Sequence, residues 1–143
     1  MKAAMATKKK REARRHDGPA LYLVDAPGFI YRAFHALPPL TTPSGLPTGA
    51  VYGFSNMLFK LLEEDQPEYI AAVFDTGRAS FRNEIYAEYK ANRPPPPEEL
   101  VPQFEWIDKV VHAFRIPVLR LERFEADDLI ATLAERARQA RSR

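Results

Sequence analysis

Acidic residues recur in this chain where apolar runs end. Leu21-Tyr22-Leu23-Val24 runs into Asp25, and Tyr69-Ile70-Ala71-Ala72-Val73-Phe74 runs into Asp75. A third run, Ile116 to Leu121, is followed after a short turn by Glu125, Asp127 and Asp128. Continuous apolar runs of this length read as strands buried on both faces, as in a parallel sheet. Sites in open parallel sheets form outside the carboxyl ends of the strands. All five carboxylates are therefore expected at one edge. Gathered like charges raise each other's pKa and are costly unless a cation compensates. Donors that are all oxygen select Mg²⁺ or Mn²⁺, and two such ions suit in-line hydrolysis of a phosphodiester. The plainer alternative makes Asp25 and Asp75 turn or capping residues, with Asp127 and Asp128 facing the positive end of a helix. Agreement of three strand ends favours the metal reading, as does Glu125 ahead of the pair, since capping needs one carboxylate there.

A second constellation follows Asp75 closely: Phe81-Arg82-Asn83-Glu84-Ile85-Tyr86-Ala87-Glu88-Tyr89-Lys90-Ala91-Asn92-Arg93-Pro94. On a helix, Arg82, Tyr86, Tyr89, Lys90 and Arg93 fall largely on one side. Cations interleaved with aromatics suit a phosphate backbone and an unstacked base. A cation near a scissile phosphate also stabilises transition-state charge. The alternative is a solvated helix in which Glu84 and Glu88 pair with Arg82 or Lys90. Arg32 lies just past Asp25 on an expected helix and is placed to reach a phosphate held there. The aromatics around it read as core, and His35 reads as a surface or packing residue.

These residues need elements to hold them. Thr48 is the expected cap of a helix whose stripe is Val51, Phe54, Leu58, Leu61 and Leu62. Glu98 to Phe114 carries Leu100, Phe104, Ile107, Val111 and Phe114, with Pro102 in its first turns. The last helix runs from about Ala126 through Leu129, Ile130, Leu133 and Ala137. Pro94 to Pro97 reads as a stiff extended connector. Strands alternating with helices predict an α/β fold with parallel strands and right-handed crossovers. The third strand is less regular, because of Pro117 and Arg120.

Composition narrows the classes. The 143 residues suit one domain, 45% of them hydrophobic. Without cysteine there is no disulfide, thiolate metal site or cysteine nucleophile. That fits a reducing compartment, with a bacterial cytoplasm as the expectation. No apolar run spans a bilayer, and no signal peptide is read. Net charge is +2, unevenly spread. Residues 1–20 hold seven Lys/Arg against Glu12 and Asp17. Residues 1–18 are expected to be a disordered basic tail, and nucleic-acid contact is the alternative. Residues 19–143 form the expected domain. There is no Gly-x-Gly-x-x-Gly and no Gly-Lys-Ser/Thr loop. A haloacid-dehalogenase type phosphatase wants a second Asp two residues after the first, where this chain has Pro27.

Read together, Leu-Tyr-Leu-Val-Asp, Tyr-Arg-Ala-Phe-His-Ala-Leu-Pro-Pro-Leu, Pro-Thr-Gly-Ala-Val-Tyr-Gly-Phe, Val-Phe-Asp, Phe-Arg-x-Glu-x-Tyr-x-x-Tyr-Lys-Ala-Asn-Arg-Pro-Pro and Glu-Ala-Asp-Asp carry a resemblance. Over about residues 20–135 the chain resembles the 5′-3′ exonuclease domain of bacterial DNA polymerase I, which is related to flap endonucleases. The resemblance implies a PIN-like α/β domain with a mostly parallel central sheet flanked by helices. It implies metal-site roles for Asp25, Asp75, Glu125, Asp127 and Asp128, with Mg²⁺ or Mn²⁺ as cofactor. Arg32, Arg82, Lys90 and Arg93 would contact the scissile phosphate or steer the 5′ strand, with Arg82, Lys90 and Arg93 closest to catalysis. Tyr89 would stack on substrate, and Lys90 through the proline run would begin an arch over the site. The implied substrate is DNA as a 5′ flap or nicked duplex, with RNA primers, in replication and repair. Two departures stand out. Ala26-Pro27-Gly28 replaces the family's usual Gly-Ser type turn after the first Asp. The family also continues further, with later metal-binding aspartates and a duplex-gripping helix-hairpin-helix region. The expectation is a C-terminally truncated domain with weak or no activity alone, completed by the missing half of the nuclease or by the polymerase. The rival is an inactive DNA-binding or partner-completing piece.

Overall fold

A computed structural model describes residues 19–76 and 95–141. Seven elements follow in order: β1 (Leu21–Asp25), α1 (Ala26–Ala36), α2 (Gly49–Asp65), β2 (Tyr69–Val73), α3 (Gln103–Ala113), β3 (Val118–Leu119) and α4 (Ala126–Arg141). The sheet has the order β1-β2-β3 and both pairings are parallel. The expected α/β layout is therefore present, with β2 central.

The register fixes which ends meet. Leu21 pairs with Tyr69 and Asp25 with Val73, while Val73 also stands beside Leu119. All three strands thus end at one edge. The expectation of burial on both faces holds for β2, whose Ala71, Ala72 and Val73 are all buried. In β1 only Val24 is fully covered. Side chains alternate across a strand. Val24, Ala72 and Phe74 join the core of α1, α2 and α3, and Ala71 and Val73 lie on the other face. The helix that packs on β1 and β2 from outside that core is α4. Its stripe of Leu129, Ile130, Leu133 and Ala137 is half-buried, and only Ala126 is fully covered.

The helical layer forms because apolar residues recur at helical spacing. Ala26, Ile30 and Ala33 line α1, and Ala50, Phe54 and Leu58 line α2. Full burial of Phe54 or Leu58 stabilises by about 1.5–3 kcal/mol each. The α1–α2 crossing is tight, since a Cβ on Gly53 would lie 2.9 Å from the Ala33 Cβ. Ile107 and Val111 of α3 complete this core.

Three local expectations are corrected. Thr48 stands at the N-cap of α2, but its hydroxyl makes no capping bond. Instead the Val51 N–H donates to Gln103 Oε1 at 3.1 Å, so α3 caps α2 from 52 residues away. Gln103 is 2% exposed and is held in turn by donating from Nε2 to the Glu99 carbonyl. Next, α3 begins at Gln103 and not at Glu98, with Pro102 as its N-cap and turns over residues 98–102. Proline disfavours the helical region for the residue before it, which fits the break between the turns over Val101 and the helix proper. Finally, β3 is two residues long. Pro117 has no N–H to give the ladder and contributes only its carbonyl, to Ala72 N–H at 2.9 Å.

Candidate active site

Asp25 closes β1 and is at once the N-cap of α1. Its Oδ1 accepts from Gly28 N–H at 3.3 Å. Pro27 in the first turn needs no N–H there. Gly28 lets the carboxylate fold back: a Cβ at that position would stand 2.6 Å from Asp25 Oδ2. The Ala26-Pro27-Gly28 turn therefore sets where the first acid sits.

Asp75 lies two residues beyond the register pair of Asp25 and Val73. Phe74 N–H still donates to the Leu119 carbonyl at 3.0 Å, past the end of β2. Asp75 Oδ1 then accepts from Ala126 N–H at 2.6 Å. This bond joins the end of β2 to the start of α4, across 51 residues of sequence. The third acidic group is thereby drawn to the second. Asp128 Oδ2 accepts from Glu125 N–H at 2.9 Å, the backward half of a capping box. Asp127 is exposed in the first turn of α4. Of the local acids Asp128 serves the start of α4, as capping by one carboxylate there requires, and Asp75 adds a second from the end of β2.

The sequence-predicted acids reach one sheet edge, but each of the three N–H-bound carboxylates is tied to backbone. Among the described residues, no three His, Cys, Asp or Glu side chains form a group that would hold a metal ion. The donor chemistry still suits a hard divalent cation. A carboxylate has four lone-pair sites and one N–H uses one of them, and oxygen-only donors match Mg²⁺ or Mn²⁺.

Arg32 is exposed on α1, with its guanidinium 5.7 Å from the Phe29 ring centroid. It lies seven residues past Asp25, roughly 10 Å along the helix axis. Phe29 and Phe34 pack against the core as expected, whereas Tyr31 is exposed. His35 is exposed beside Tyr31 and Phe34, which fits a surface packing role. Arg82, Tyr89, Lys90 and Arg93 lie outside the described residues.

Sequence reasoning gave no role to Gly28, the Ala126 N–H or Arg120. Gly28 left a signal as part of an unusual turn after Asp25, and Arg120 as a charge interrupting an apolar run. No helix among the described residues is long and apolar enough to cross a membrane.

Comparison with known proteins places this geometry in a lineage. The family model described as the 5′-3′ exonuclease N-terminal, resolvase-like domain matches residues 20–143. The chain is 52% identical over 133 residues to the DNA polymerase I of Rhizobium leguminosarum, covering 87% of this chain and 13% of that protein. It is 46% identical over 119 residues to the 5′-3′ exonuclease of Aquifex aeolicus, covering 83% of this chain and 41% of that protein. Against the DNA polymerase I of Pseudomonas aeruginosa the identity is 52% over 114 residues, or 80% and 12%. The chain spans less than half of each of these relatives. With a parallel sheet, acids at its carboxyl edge and this match over the folded region, the chain belongs to the family of 5′-3′ exonuclease N-terminal, resolvase-like domains.

Proposed function

We propose that this chain supplies the first part of the acidic site of a 5′-3′ exonuclease and flap endonuclease that hydrolyses DNA phosphodiesters in replication and repair. The observation that supports it best is the Asp75–Ala126 bond at 2.6 Å, which ties the second strand-end acid to the helix bearing Asp127 and Asp128. Asp25, Asp75, Glu125, Asp127 and Asp128 are the residues that would hold Mg²⁺ or Mn²⁺. Such an ion would supply a lowered water pKa and charge stabilisation at the attacking and leaving oxygens.

The remaining roles fall to cations of the chain. Arg32 is exposed on α1, about two turns beyond Asp25, and takes a phosphate oxygen of the bound strand. Arg82, Lys90 and Arg93 steer the 5′ strand and meet the scissile phosphate, and Tyr89 stacks on a base. The substrate is DNA carrying a 5′ flap or nick, including RNA-primed ends, and the setting is the bacterial cytoplasm. The partner is the rest of the nuclease or a polymerase.

A second reading has its own observation. The described acids make no three-donor group, which favours a chain that binds DNA and completes its site only with a partner. Cleavage of a labelled 5′-flap DNA with Mg²⁺ or Mn²⁺ separates the two, using the chain alone and with the C-terminal region of a 5′ nuclease added in trans. Asp75→Ala is expected to lower any cleavage by more than about a hundredfold. Equal cleavage by Asp75→Ala would overturn the nuclease reading. Cleavage seen only in trans would establish the completed-site reading.

A further inference from the structure

Asp75 lies outside the strand, since β2 ends at Val73, and the residue before it, Phe74, is bonded to the Leu119 carbonyl of β3. Its position is inherited from Phe74 on one side and from Ala126 N–H on the other. Phe74 is 7% exposed and belongs to the core. The strand that should hold it, β3, is a two-residue edge.

One side chain reinforces that edge. Arg120 follows β3 directly and lays its guanidinium over the Phe74 ring, 4.7 Å from the centroid. The same guanidinium donates from Nη2 to Asp108 Oδ1 of α3 at 2.5 Å. Asp108 also has His112 Nε2 at 3.6 Å from Oδ2. Helix α3, the end of β3 and the residue before Asp75 are thus joined by a single planar cation. A guanidinium suits this task because its face stacks on the ring while its edge donates to the carboxylate.

We propose that Arg120 is a positioning residue for Asp75, holding Phe74 so that the Asp75 carboxylate meets Ala126 N–H. The functional half of this inference rests on reading Asp75 as a site carboxylate; the geometric half does not. Arg120 touches no reacting atom in this scheme and acts through Phe74.

The test reads Asp75's placement without any cleavage. Amide hydrogen exchange of Ala126 reports the bond to Asp75, because exchange follows local opening. The Leu58 amide, on a fully buried residue of α2, reports global opening. Arg120 and Asp108 side chains are 41% and 30% exposed, so stack and ion pair together are modest. Arg120→Met is expected to speed Ala126 exchange about five- to tenfold and leave Leu58 unchanged. Arg120→Lys keeps a cation beside Asp108 but loses the planar stack on Phe74, and is expected to rescue only the smaller part of that protection. Unchanged Ala126 exchange in Arg120→Met overturns the proposal, and so does acceleration shared equally by Leu58. Should Arg120→Met not fold, Asp108→Asn carries the test, with a gain of about two- to threefold expected at Ala126 alone. In flap cleavage, Arg120→Met is expected to lower kcat about fivefold with KM unchanged, as for a residue acting on the reacting geometry. If the exchange result holds while Asp75→Ala cleaves normally, the nuclease reading fails and the positioning stands.

Discussion

Two glycines inside helices, Gly53 and Gly28, each leave room for a neighbour that a methyl group would strike. At Gly53 the neighbour is Ala33 of the packed α1–α2 crossing, with its Cβ 2.9 Å and its Cα 3.3 Å from the added carbon. At Gly28 it is Asp25 Oδ2, 2.6 Å away. The distances are alike but the consequences differ. Ala33 is backbone and Cβ only, so the helices themselves must part. Asp25 can rotate its carboxylate away. The helical layer holds its geometry through atoms that cannot yield, and the sheet edge through side chains that can. Damage to the first should appear as lost stability, and damage to the second as a displaced acid in a fold that persists.

The largest stability effect should come from the one buried polar side chain in the layer. Gln103→Ala leaves the part-buried Val51 N–H without its acceptor inside the protein, and leaving such a donor unmade costs up to about 1–3 kcal/mol. Truncation of a 2% exposed side chain adds to that. Urea unfolding should show a loss of about 2–3 kcal/mol. Thr48→Ala should cost below about 0.5 kcal/mol, because its hydroxyl caps nothing. The reverse order would mean that α2 is capped from its own sequence after all.

Gly53→Ala comes next. Overpacking costs about 1–3 kcal/mol, and alanine's better helix propensity returns up to about 1 kcal/mol. A net loss of about 1–2 kcal/mol is expected in the same unfolding experiment. A neutral result would show that the α1–α2 crossing adjusts freely, and the contrast between the two regions would lose its basis.

How legible these features were follows from the range of the interactions behind them. The end of β1 at Asp25 and the α2 stripe are readable because a short apolar run and residues three and four apart decide them, whereas β2 stops at Val73, two residues before the expected Asp75. The start of α4 at Ala126 was likewise visible from its own apolar spacing. The cap on Val51 was not, because its acceptor lies 52 residues away. The apolar period from Leu100 to Phe114 places Pro102 in the first turns of a helix, whereas the helix starts just after it, at Gln103. Arg120 looked like an irregularity in a strand, since nothing local shows that it would fold over Phe74 and reach Asp108. At the site, the sequence brought the acids to one edge. The capping alternative holds for Asp25 on Gly28 N–H and Asp128 on Glu125 N–H, whereas nothing local shows that Asp75 would take Ala126 N–H from 51 residues away.

Gly28→Ala tests the yielding side of the comparison. The clash falls on the far end of a side chain, and alanine favours the helix, so the unfolding free energy should change by less than about 0.5 kcal/mol. Asp25 must turn, however. In an assembly that cleaves flap DNA, the variant is expected to need about ten- to a hundredfold more Mg²⁺ for half-maximal rate, the range seen when groups orienting a ligand are removed. Lost stability with unchanged Mg²⁺ dependence would show that Gly28 serves packing.

The smallest effect is expected at an acid that is paired but stands away from the sheet edge. Glu135 on α4 is held below the ordinary carboxylate range, first by Arg138 and then by Gln139. Arg138 donates to both of its oxygens, at 2.9 and 2.7 Å. The sign follows from the lowered pKa: any stabilisation is present above the unfolded-state value and fades as pH falls through the folded-state value. The carboxylate is fully exposed, so water and salt screen the pair and little stability is expected from it. Glu135→Gln should therefore melt with the parent chain at neutral pH, and any gap should close as pH falls. Flap cleavage should be unaffected too, because Glu135 is about two and a half turns along α4 from Ala126. If this substitution disturbed cleavage as Asp75→Ala is expected to, carboxylates in general would matter to the chain, and those at the sheet edge would lose their special standing.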